Sequence, residues 1–191
     1  MATGTVELFR VLRAPPERIY QAFITADALA KWLPPQGFTA HVHSLDAQVG
    51  GRFRMSFTNF SNGHSHGFGG EYLQMEPGRL LRYTDQFDDP ALPGILTVTV
   101  QLTPGIGGTR VDIRQEGIPE LIPVDMCHMG WQESLEQLRQ LVEAKLAKGD
   151  AVDTDRDQTA QRHVLVQPQH GALLDVEIGR ASCRERVSSP V

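Results

Sequence analysis

The sequence predicts an α+β fold, an antiparallel sheet covered on its apolar face by one long helix. Two observations carry this. In "ILTVTVQLTP", Leu96, Val98, Val100 and Leu102 point one way while Thr97, Thr99 and Gln101 point the other, the period of a half-buried strand. In "VDMCHMGWQESLEQLRQLVEAKLAK", Trp131, Leu135, Leu138, Val142 and Leu146 recur at helical spacing, with Glu, Gln and Arg between them. A sheet with one apolar face needs a cover, and this helix supplies it.

The other elements follow in order. "GTVELFRVLRA" alternates at Val6 and Leu8 and reads as a first strand. A proline pair then suits a helix start, and Ile19, Tyr20, Phe23 and Ile24 form one stripe in "PPERIYQAFITA". "DALAKW" adds a short helix with Asp27 as its expected N-cap, ended by Pro34 and Pro35, which lack amide donors. "GFTAHVHSLDA" and "VGGRFRMSFTNF" are the second and third strands, the latter with Phe53, Met55 and Phe57 on one face. Asn62-Gly63 turns the chain into a fourth strand, and "GRLLRYTDQF" is a fifth. The "GIGG" turn closes a last hairpin with Val111 and Ile113 inward. The expected order is β-α-α-β-β-β-β-β-β-α.

Bulk properties narrow the function. The 191 residues suffice for one domain with a proper core, 40% hydrophobic and 21% charged. The net charge of −5, with no Lys/Arg-rich run, argues against a nucleic-acid or anionic-membrane surface. No apolar stretch approaches the ~20 residues of a spanning helix, and "MATGTVELFRV" lacks a signal-peptide layout. Cys127 and Cys183 make no disulfide framework, so a cytoplasmic protein, monomer or homodimer, is expected. The domain is expected to span residues 1–148. Residues 149–191 read as a polar, disordered tail. Within it, Ile178 to Val187 can be encoded by a common short-read sequencing adapter read in frame, so about 178–191 are set aside as an artefact.

"APPERIYQAFITADALAKWLPP", "VGGRFR", "GEYLQMEPGRLLRYT", "GGTRVDIRQEG" and "GWQESLEQLRQL" together resemble the START-like (SRPBCC) superfamily. More narrowly, the chain resembles bacterial homologues of the activator of heat-shock-protein-90 ATPase, over about Val6 to Leu146. The resemblance implies a helix-grip fold, a curved sheet wrapped on the C-terminal helix around an apolar cavity. Relatives hold lipids, polyketides, aromatic compounds or hormones there, and a few are cyclases or dehalogenases. The eukaryotic namesake, with a further N-terminal domain, stimulates a chaperone ATPase. Only a few residues precede the first strand here.

The leading expectation is non-catalytic binding of a small apolar or amphipathic molecule, without a cofactor. The alternatives are an interaction protein acting on a chaperone or other ATPase, and a cyclase- or hydrolase-type enzyme. The residues expected at the ligand are Trp32, Phe53, Phe57, Tyr72, Tyr83, Met126, Met129 and Trp131. Trp32 either lines the cavity mouth or plugs the core. The thioethers of Met126 and Met129 suit a wall that accommodates varied ligands. Glu71, Gln115 and His128 are further polar groups near the cavity, His128 being the candidate acid or base and otherwise a helix-surface histidine. His41, His43, His64 and His66 could supply zinc ligands only if the two pairs meet, and read as exposed or hairpin-tip residues. Asp85, Asp88 and Asp89 read as loop residues beside Pro90. Cys127 has no base nearby in sequence.

Overall fold

The computed structural model describes residues 4–144. Seven strands and three helices follow the expected order: β1 (Gly4–Leu12), α1 (Pro16–Ile24), α2 (Ala26–Trp32), β2 (Phe38–Leu45), β3 (Arg52–Asn59), β4 (Ser65–Glu76), β5 (Leu80–Phe87), β6 (Leu96–Gly105), β7 (Gly108–Ile118) and α3 (Val124–Glu143). The strands form one antiparallel sheet in the order β1-β7-β6-β5-β4-β3-β2. From β2 to β7 the chain is a meander, and α1 and α2 carry it from one edge of the sheet to the other. The sheet is curved and holds α3 on its apolar face, a helix-grip fold.

Both patterns that predicted the fold are realised. Leu96, Val98, Val100 and Leu102 are buried on β6, as are Val111 and Ile113 on β7. Trp131, Leu135, Leu138 and Val142 form the buried stripe of α3; Leu146, and the whole expectation for 149–191, lie outside the described residues. The sheet bends tightly at Gly70, where an added Cβ would lie 1.7 Å from the Thr84 carbonyl oxygen of the next strand. Any side chain there would force β4 and β5 apart.

Polar contacts fasten α3 on two sides from Glu133 onward. Glu136 accepts from Arg10 of β1 at 2.6 Å and from Arg139 one turn on, while Glu143 accepts from the Arg13 amide at 2.9 Å. The Arg139 guanidinium bonded to Glu136 holds that carboxyl down at about 2. On the other side Ser134 Oγ donates to the Leu33 carbonyl at 2.7 Å, Glu133 accepts from the Gln36 amide at 3.0 Å, and Gln137 Nε2 donates to the Pro34 carbonyl.

Two local expectations are corrected. Asp27 is not the N-cap of α2; that position is Thr25, and Asp27 in the first turn pairs with Lys31 one turn on. Gln137, which the spacing makes an exposed neighbour of Leu138, is half-buried and bonded to the proline loop.

Candidate functional site

Between the concave face of the sheet and α3 lies a cavity of about 330 Å³. Its sheet wall is Phe53 and Phe57 of β3, His66 and Phe68 of β4, Tyr83, Asp85 and Phe87 of β5, Val98 of β6 and Gln115 of β7. Cys127, Gly130, Trp131 and Ser134 come from α3, and Leu33, Pro35 and Phe38 close the mouth. The strand residues meet because directly opposed positions share a face: Phe57 opposes His66, Phe68 opposes Phe87, and Tyr83 opposes Val98, which opposes Gln115.

Four of the eight expected ligand residues, Phe53, Phe57, Tyr83 and Trp131, line this space. Tyr72 sits deeper, stacked near Phe53 at 5.7 Å between ring centroids, beside a small satellite void shared with Phe23, Leu29 and Met55. Met126 and Met129 lie on the exposed side of α3, 59% and 54% accessible. Trp32 is wholly buried away from the cavity: its Nε1 donates to the Ala22 carbonyl at 2.9 Å and its ring meets Phe23 edge-on at 4.6 Å. The wall expected of Trp32 is built instead by Leu33 and Pro35.

Asp85 corrects the loop reading. It alternates with Tyr83 and Phe87 on β5 and so points inward with them, while Asp88 lies beyond the strand and pairs with Arg54. Asp85 Oδ1 is shut from solvent and has no hydrogen-bond partner. Burial pushes its carboxyl up to about 7, so the folded protein holds this proton more tightly than the unfolded chain does. The resulting stability is present below about pH 4, declines as pH rises, and is lost above about pH 7. Asp85→Asn is therefore expected to stabilise the domain by about 2 kcal/mol at pH 8 and by almost nothing at pH 4, measured by urea unfolding at both.

The remaining polar groups are quiet. Burial pushes the hydroxyls of Tyr72 and Tyr83 and the thiol of Cys127 upward, so all three stay protonated near neutrality. Ser134 is engaged by the Leu33 and Gly130 carbonyls, and Trp131 Nε1 donates to Gln115 at 2.9 Å. Among the described hydrogen bonds, none gives the thiol or a cavity hydroxyl a neighbouring base. His128 is half-buried on α3 and Glu71 half-buried on β4, both outside the cavity lining. The histidine pairs are split by strand alternation. His66 shares the inner face with Phe57 and Ala40, so His41, next to Ala40, faces outward, with His43 bonded to Ser56 at 2.9 Å. Among the described residues, no three His, Cys, Asp or Glu side chains are placed to hold a metal ion, and no helix is long and apolar enough to cross a membrane.

Sequence signals for the missed residues existed. Asp85 keeps the period of Tyr83 and Phe87, and Cys127 and Ser134 flank Trp131 at i−4 and i+3. Gly130 is the subtle one. It interrupts a strong helix, and an added Cβ there would meet no atom within 4 Å. The missing side chain leaves the cavity open.

A family model described as Activator of Hsp90 ATPase homolog 1-like protein matches residues 13–143. A crystal structure of a Chromobacterium violaceum protein is 53% identical, with a TM-score of 0.72 over 73% of this chain and 96% of that one. A Mesorhizobium loti protein is 28% identical, TM-score 0.59, over 74% and 98% of the two chains. One from Rhodobacter sphaeroides, 22% identical with TM-score 0.67 over 75% and 98%, shares the fold. No curated protein matches the chain.

Proposed function

The chain belongs to the family of Activator of Hsp90 ATPase homolog 1-like proteins, of SRPBCC type, and on that premise we propose that it binds a small hydrophobic or amphipathic molecule between the sheet and α3, without catalysing its conversion. One observation carries the reading: an interior of about 330 Å³ walled by Phe53, Phe57, Phe68, Phe87 and Trp131. Cavities of that size with aromatic walls and a few polar groups are the usual form of a small-molecule site. A side-chain-filled interior would have favoured an interaction protein, and a thiol or hydroxyl beside a base would have favoured an enzyme.

Gly130 provides a test that leaves the fold intact. Gly130→Leu sends a side chain into open space and replaces a poor helix former, so stability is expected to hold or rise by about 0.5–1 kcal/mol. Binding of the neutral fluorescent probe N-phenylnaphthylamine is expected to fall by about tenfold or more, since the leucine occupies its volume. Equal probe binding by the variant and the unaltered protein would overturn the cavity as the binding site.

A further inference from the structure

The unpartnered Oδ1 of Asp85 inside an aromatic chamber defines the chemistry of what that chamber can receive. The groups facing it can be named element by element. On β5 they are Tyr83 and Phe87; on β6 the opposed residue is Leu96; on β4 the register puts Gly70 opposite, with Phe68 and His66 successively farther along. From α3 come Cys127, Gly130, Trp131 and Ser134. Among the described residues no Lys or Arg lines the cavity, and the nearby Arg54 is engaged with Asp88 outside it. Burial keeps Tyr83 and Cys127 neutral, and His66 lines the cavity toward the mouth.

Although the Gln86 backbone donates to this carboxylate, its Oδ1 has lost water and gained no donor from the protein, an arrangement that a ligand donor relieves. The faces of the surrounding rings also attract positive charge. An anionic ligand would meet the like charge of Asp85. We propose that the cavity selects an amphipathic organic amine, its ammonium group donating to Asp85 and its apolar body lying among Phe57, Phe68, Phe87 and Trp131. The inference rests on the cavity being the binding site and names the class of ligand. The raised carboxyl of Asp85, at about 7, adds a pH dependence: amine selectivity is full above that value and fades below it as the carboxylate takes a proton.

Phenylbutylamine, phenylbutanol and phenylbutyrate share one apolar body and differ in the polar end. Titrated calorimetrically near pH 8, the amine is expected to bind about tenfold tighter than the alcohol, and the acid weakest. In Asp85→Asn the amine and alcohol are expected to converge to within about twofold. In the unaltered protein the advantage is expected to shrink near pH 5, an arm that decides the matter even if the variant fails to fold. Equal affinities of amine and alcohol near pH 8, or a preference that survives Asp85→Asn, would overturn the amine assignment while binding of the alcohol leaves the cavity site standing. Failure of all three probes together with N-phenylnaphthylamine would overturn both.

Discussion

Trp32→Ala is expected to destabilise the domain by about 3–5 kcal/mol while leaving the probe affinity of the folded fraction unchanged. The indole is 0% exposed and packs edge-on against Phe23. Removing it deletes the largest fully buried side chain and leaves the Ala22 carbonyl without its donor. The site cannot collapse to fill the hole, because Pro34 and Pro35 stiffen the following turn and Ser134, Glu133 and Gln137 hold that turn to α3. Urea unfolding and N-phenylnaphthylamine titration on the same variant separate the outcomes. A small stability loss with weakened binding would return Trp32 to the cavity wall.

Leu138→Ala is expected to cost about 3–5 kcal/mol, the upper part of the range for a buried leucine. Leu138 is 0% exposed at the middle of the buried stripe of α3. Gln132, exposed on the same helix, is the proper control, and Gln132→Ala is expected to change stability by no more than about 0.5 kcal/mol. Gln137, the neighbour that spacing alone recommends, would mislead, since it donates to the Pro34 carbonyl. Comparable losses at Leu138 and Gln132 would mean that α3 presents a different face to the sheet.

The elements were legible because their signals are local. Leu96 to Leu102 alternate within seven positions, and Trp131 to Val142 keep helical spacing within three turns. The site was legible only in part because it depends on register. Phe57, Phe68 and Phe87 come together through pairings between three strands, and no window of sequence contains them all. Met126 and Met129 illustrate the converse error: five and two residues before Trp131, they fall on the far side of α3 from its buried stripe. Trp32 misled through size alone, since bulk suits a plug as well as a wall. Asp85 was hidden by its neighbours, because Asp88, Asp89 and Pro90 make the segment look like a turn one residue pair before the strand ends. Gly130 carried its message in an absence, which periodicity does not register.

The pairing of β1 with β7 also sets the order in which the domain can assemble. Val6 faces Gln115 and Leu12 faces Thr109, so β1, once synthesised, waits for about a hundred further residues before its partner exists. The hairpins from β2 to β7 can form as they are synthesised, each closing a short loop, but β1 must be retrieved across the whole length of that meander. Closure of this seam completes the helix's berth as well, because Arg10 and Arg13, at and just after the end of β1, supply the donors that Glu136 and Glu143 accept. Docking of α3 and capture of β1 are therefore expected to occur as one late, cooperative event. A refolding chain is expected to show sheet signal before the Trp131 environment matures, and weakening the Arg10–Glu136 contact is expected to slow that last phase more than the first.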